Sequence, residues 1–327
     1  MGLLVNGQWQ DRWYDTESHG GRFVREDAGF RHWVTPEQDA PFAAEAGRYY
    51  LYVALACPWA HRTLIMRSLK GLESVIGIAV VDPYMGENGW TFSDAPGCIP
   101  DPLYGADHLH ELYTRAAPSY TGRVTTPTLW DSYHETIVSN ESADILRMLN
   151  SAFDALAEYP TRDYYPQELQ DDIDAINAEV YDKVNNGVYK AGFATSQTAY
   201  EEAAEALFDT LDRLDERLAR QRYLVGARIT EADWRLFTTL VRFDAVYHGH
   251  FKCNLRRIAD YPNLSGYLRE LYQVPGVAKT TNFDHIKQHY YRSHGTVNPT
   301  GIVPIGPELN LEAPHGRSAV QEAVDNA

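Results

Sequence analysis

The segment Tyr49–Val81 constrains the fold more than any other part of the chain. It opens with YYLYVALA, Tyr49–Ala56, nearly continuous in apolar and β-prone residues, and closes with VIGIAVV, Val75–Val81. Apolar runs without polar alternation belong to strands covered on both faces. Between them lies CPWAHRTLIMRSLKG, where Pro58 suits a first helical turn and Gly71 a stop. Strand, helix and strand in about thirty residues make a βαβ unit, and therefore a parallel pair.

The rest of the chain extends this start. Residues 83–122 are rich in Gly, Pro and Asp and read as a long loop with one short helix near His108–Thr114. Thr125–Asp131 is a further strand. A turn at Ser132–Glu135 leads into TIVSNESADILRMLN, where a helix begins near Asn140 with Ile145, Leu146 and Leu149 apolar. After a Pro/Tyr cluster at 159–166, the pattern becomes helical. Leu169, Ile173, Ile176, Val180 and Val184 recur at spacings of three and four, and Gly187 is expected to close that helix. Ala203, Leu207, Leu211, Leu214 and Leu218 repeat likewise, TEAD at 230–233 reads as a capping box, and Pro262 opens a helix over Asn263–Tyr272. The expected organisation is an irregular N-terminal arm over 1–45, an α/β domain over 46–158, an all-helical domain over 159–290, and an extended tail over 291–327.

Charge and cysteine content narrow the function classes. The 29 Lys and Arg face 45 Asp and Glu, a net charge of −16, which argues against binding nucleic acid or an anionic membrane surface. The longest apolar runs are far shorter than the roughly 20 residues that span a bilayer. The start, MGLLVNGQWQDRW, has no basic stretch followed by an apolar core, and Asn6 stands where a myristoylation motif wants Ser or Thr. Three cysteines cannot build a disulfide framework. A cytoplasmic protein is expected.

Cys57 is the residue with chemistry written into its position. A thiol between a strand and a helix start faces unpaired N–H groups and the positive end of the helix dipole, which favour the thiolate; His61 and Arg62 add positive character. Cys98, in a Gly/Pro loop, and Cys253, in HFKCN, lack this setting and are read as structural. Glu141 and Ser142, in the first turn of the helix opened by NESAD, could hold an α-amino acid head group through exposed N–H groups, a hydroxyl and a carboxylate; taken alone, simple capping is the commoner role of such residues. A Pro after Thr126 in an apolar strand demands an edge or special turn, and a cis bond there would expose the Thr126 backbone. His248, His250 and Cys253 supply three ligand types without a fourth, so no metal is expected. Tyr189, Tyr247 and Tyr290 lie at or near helix ends, where a side chain can reach a cleft or simply pack.

With these pieces placed, the sequence resembles the glutathione transferases, and specifically the Xi-class glutathionyl-hydroquinone reductases. The resemblance runs through nearly the whole chain, in LACPWAHRTLIMR, ENGWTF, YTGRVTTPTLWD, TIVSNESADI, YDKVNNGVYKAGFATSQ, TEADWRLFTTLVRFDAVY, NFDHIKQHYYRSH and NPTGI. It implies an α/β plus all-α chain with the glutathione-transferase fold: an N-terminal thioredoxin-like domain, a C-terminal helical domain, and a homodimer. By the same resemblance Cys57 is the nucleophile. Trp90, Arg123, the Thr126 backbone, Glu141 and Ser142 hold glutathione, and Tyr189, Tyr247 and Tyr290 line the site for an aromatic substrate. The family usually has Val where Thr126 stands. Glutathione would act as co-substrate, with no tightly bound cofactor. Two other readings stay open: a general Cys-type thiol transferase or dehydroascorbate reductase, which needs no tyrosine pocket, and a non-catalytic interaction module, against which a cysteine at this turn argues.

Overall fold

A computed structural model describes residues 2–318 and 320, so the end of the expected tail lies outside the described residues. The chain divides into two compact units. The first holds the chain up to Trp13, Arg25–Asp163 and Lys279–Gly295; the second holds Tyr14–Val24, Tyr164–Ala278 and the chain from Thr296 onward.

The first unit opens with a hairpin that the reading of an irregular arm missed. Strands β1 (Leu3–Val5) and β2 (Gln8–Gln10) pair antiparallel. They are joined by Asn6 and Gly7, both with positive φ, and Asn-Gly is the pair that a tight hairpin turn prefers. The expected βαβ unit follows as β3 (Tyr49–Val53), α1 (Pro58–Leu69) and β4 (Gly77–Val80), with β3 and β4 parallel. Gly71 takes a positive φ just past the helix, as a stop residue does. Helix α2 (Leu109–Ala116) starts at His108, and β5 (Gly122–Arg123) completes a small sheet in the order β2-β1-β5. Strands β6 (Thr128–Asp131) and β7 (Thr136–Ser139) complete a mixed sheet in the order β4-β3-β6-β7. The sequence reading left Thr136–Ser139 unassigned between its turn and its helix, because four residues in a hairpin return carry too short a period to stand out. Helix α3 (Ser142–Ser151) then packs on α1.

The second unit is helical: α4 (Gln170–Val180), α5 (Gly187–Gly192), α6 (Gln197–Leu218), α7 (Glu231–Arg242) and α8 (Leu264–Tyr272). Gly187 does not close its helix. A π-helical turn at Tyr181–Asn185 carries the chain onward, and Gly187 opens α5, which packs on α6 within contact reach of Leu207. Every residue of α7 is buried, which makes it the axis of the unit. Its expected capping box is present, with the Thr230 amide donating to Asp233 at 2.8 Å. The Asp233 carboxylate also accepts from the Leu224 amide at 2.9 Å and the Tyr267 hydroxyl at 2.7 Å. These donors satisfy a group whose burial pushes its pKa up.

Helix α9 (Phe283–Ser293) belongs to the first unit, not to the helical unit in which the reading over 159–290 placed it. The apolar pattern of α9 says that one face is buried, but not against what. Among the described residues no helix is long and apolar enough to cross a membrane.

Candidate functional site

Antiparallel pairing of β3 with β6 sets the position of the site. Tyr52 lies opposite Thr128, so the chain leaving β3 meets the chain entering β6. Cys57, the residue before α1, thereby comes beside Thr126. The Thr126–Pro127 bond is cis, and the half-buried Cys57 thiol donates to the Thr126 carbonyl at 3.3 Å. Cys57 has an extended backbone, and its carbonyl accepts the first helical bond from the His61 amide at 3.0 Å. Its sulfur does not cap the helix, so at the N-terminus of α1 it is engaged by the Thr126 carbonyl and not by the helix amides.

The turn that presents Thr126 is braced from behind. The Tyr113 hydroxyl donates to the Thr125 carbonyl at 3.0 Å, and Asn140 Nδ2 donates to the Tyr113 hydroxyl at 3.2 Å and to Thr125 Oγ1 at 3.3 Å. The sequence reading passed over both supports, because their partners are distant in the chain. Thr126 Oγ1 is buried and, among the described residues, has no hydrogen-bond partner.

Glu141 is the N-cap of α3, and its carboxylate accepts from the Ala143 amide at 3.0 Å. Ser142 is buried, with its hydroxyl 3.4 Å from Nη1 of Arg62, whose guanidinium also lies over the Trp59 ring at 4.4 Å. Arg62 is buried and extends from α1, so α1 supplies both the thiol and a cation at the head of α3. An amide-lined helix start with a carboxylate, a hydroxyl and an adjacent guanidinium can bind a group carrying both charges.

Trp90 and Cys57 pack on one core cluster with Leu4, Tyr52, Val124 and Trp130. The Trp90 ring stacks on His289 of α9, with centroids 4.8 Å apart and planes at 26°. Arg123 is engaged elsewhere in the same unit. Its guanidinium donates to the carbonyls of Arg12 at 2.6 Å and Trp13 at 3.2 Å, and pairs with Glu26 at 3.4 Å. In this conformation it fastens the N-terminal segment.

The three tyrosines fall into two groups. Tyr189 and Tyr247 meet in the second unit, centroids 6.0 Å apart, within an aromatic set that includes Phe23, Phe193 and Phe251. Tyr290 lies in the first unit, edge-on to His289 and His294.

The other cysteines have different surroundings. Burial pushes the Cys98 thiol up, and that of Cys253 further, with its sulfur against the carbonyls of Phe251 and Val188. Burial also pushes His250 down to about 4. Among the described residues no group of three or more His, Cys, Asp or Glu side chains is arranged to hold a metal ion.

A four-stranded mixed sheet with a cysteine at the start of α1 and a cis proline facing it, in a chain that also carries a helical unit, defines a class. The glutathione S-transferase N-terminal domain matches residues 56–152 and the C-terminal domain residues 197–270. The chain is 59% identical over 324 residues to glutathionyl-hydroquinone reductase YqjG of Escherichia coli, covering 97% of this chain and 98% of that one. It is 60% identical over 311 residues to glutathionyl-hydroquinone reductase PcpF of Sphingobium chlorophenolicum, covering 95% and 98%. The glutathione-bound structure of YqjG superposes with a TM-score of 0.88 at 56% identity, covering 97% and 99% of the two chains. A Xi-class transferase from Natrialba magadii superposes with a TM-score of 0.91 at 51% identity, covering 98% and 97%. The chain belongs to the glutathione S-transferases, and within them to the Xi-class glutathionyl-hydroquinone reductase family.

Proposed function

We propose that this protein reduces S-glutathionyl hydroquinones to hydroquinones, using glutathione, through a mixed disulfide on Cys57. The observation that carries the mechanism is the position of the Cys57 sulfur: at a helix N-terminus, half-buried, and beside the Thr126 backbone. A sulfur nucleophile attacks sulfur, whereas a hydroxyl could only hold a glutathione thiolate in place.

The Cys57 thiolate attacks the thioether sulfur of the substrate. The sulfur–sulfur bond forms as the aryl carbon–sulfur bond breaks, and the electron pair leaves with the ring carbon, which takes up one proton. Sulfur is oxidised and carbon reduced, giving hydroquinone and Cys57–glutathione disulfide. A second glutathione thiolate then attacks the glutathionyl sulfur, releasing oxidised glutathione and regenerating the Cys57 thiolate. No metal, flavin or nicotinamide enters the balance.

In this reading the Thr126 backbone, Trp90, Glu141 and Ser142 bind glutathione, with Arg62 behind Ser142. Arg123 would join them after release from the Arg12 and Trp13 carbonyls. Tyr189, Tyr247 and Tyr290 contact the aromatic ring, and a tyrosine hydroxyl delivers the proton to carbon. The protein works in the cytoplasm as a homodimer.

The decisive experiment is turnover of glutathionyl-hydroquinone by Cys57→Ala, with peptide mass mapping after substrate is added under limiting glutathione. Activity should disappear, and the wild-type adduct should be one glutathionyl group on Cys57. A variant retaining more than a few per cent of the rate, or an adduct on Cys98 or Cys253, would refute the mechanism. Wild-type enzyme that reduces small disulfides but not the thioether would indicate a general thiol transferase.

A further inference from the structure

Helix α9 carries a polar stripe that holds the loop on which Trp90 sits. His285, His289 and Ser293 are spaced four residues apart and so share one face of the helix. Each is hydrogen-bonded to the backbone of the 83–96 segment. His285 Nε2 lies 2.8 Å from the Pro96 carbonyl, His289 Nδ1 lies 3.0 Å from the Pro83 carbonyl, and Ser293 Oγ accepts from the Met85 amide at 3.0 Å. A carbonyl can only accept, so His289 carries its proton on Nδ1, which fixes the ring plane. On that plane lies the Trp90 indole, and the edge of the same imidazole meets Tyr290 at 5.2 Å. The approach is close: a side chain at Gly97 would collide with His285.

We infer that His289 is a positioning residue that sets the Trp90 indole for glutathione. The inference rests on the proposed glutathione role of Trp90 and adds what fixes that ring. A loop rich in Gly, Pro and Asp has little secondary structure of its own to orient an indole. The Trp90 carbonyl accepts from the Leu109 amide at 2.9 Å, which holds the backbone, and His289 adds constraint on the ring itself through the stacked imidazole and on the loop through the Pro83 carbonyl.

The test is calorimetric binding of S-methylglutathione to the full chain, with steady-state kinetics in glutathione. His289→Ala removes both constraints and should weaken binding about tenfold. KM for glutathione should rise by a similar factor, and kcat at saturating glutathione should stay within about twofold of wild type. His289→Phe keeps a stacking ring without the donor, and His289→Asn keeps a donor without the ring; each should recover part of the loss. Should His289→Ala fail to fold, these two carry the test, and at least one must raise KM at unchanged kcat. Binding within twofold of wild type in all folded variants overturns the inference. So does an equal fall in kcat and unfolding midpoint in all three, which would mark simple packing damage. Wild-type enzyme that binds S-methylglutathione yet leaves the quinol thioether unreduced would refute the proposed reaction, while this binding test would still read His289.

Discussion

The two units treat the same residue types in opposite ways. The first places a cysteine at a helix start, half-buried, with its sulfur against one backbone carbonyl. The second encloses Cys253 completely, and burial pushes its thiol up. The tyrosines divide similarly. Tyr290 of the first unit stands edge-on to the His289 and His294 imidazoles, whereas Tyr189 and Tyr247 of the second stand among phenylalanines. Identical side chains thus have different surroundings, and on the proposed reaction the first unit would carry the bond making and proton movement while the second would supply walls.

The largest effect should separate the cysteines. Iodoacetamide should label Cys57 at least about 100-fold faster than Cys253, because the Cys57 sulfur is half-buried at a helix start while Cys253 is enclosed and burial pushes its thiol up. Comparable rates by peptide mapping would erase the contrast.

Next, Tyr290→Phe should lower quinol-thioether turnover about 100-fold, the scale of a lost general acid. Hydroxyethyl disulfide reduction should survive, because a thiolate leaving group scarcely needs a proton. Equal losses on both substrates would place the damage in the glutathione site.

Tyr189→Phe and Tyr247→Phe should cost less, about tenfold each on the quinol thioether, since Phe keeps the aromatic wall and removes one hydroxyl. A larger loss here than at Tyr290 would reverse the assignment of proton work to the first unit.

The smallest effect concerns Thr126, whose buried hydroxyl has no partner among the described residues. Thr126→Val keeps the backbone contact and removes the unsatisfied group. It should raise stability by about 1 kcal/mol and leave glutathione affinity unchanged. Weakened glutathione binding by calorimetry would show instead that the hydroxyl serves the ligand.

Local pattern by itself determined a definite share of this protein. The apolar runs around CPWAHR specify the βαβ unit and leave Cys57 at a helix start, whatever packs around it. The period of three and four over Ala203–Leu218 specifies α6, and Thr230 with Asp233 specifies the start of α7. These signals lie within a few residues of one another, so propensity, capping and burial pattern agree without help from afar. The Asn6-Gly7 turn was equally local and was simply overlooked.

Other features depended on partners distant in the chain. Cys57 and Thr126 meet across 69 residues of sequence, and His289 reaches Pro83 across 206. No periodicity reveals that α9 folds with the first unit, that the Thr126–Pro127 bond is cis, or that Arg123 fastens the N-terminal segment. Gly187 carried a stop signal, yet the turn widened before it and packing against α6 took the helix on. Short-range signals set what each segment can be. Which segments meet is decided by burying their faces together and pairing their polar groups, and that choice exists only in the folded chain.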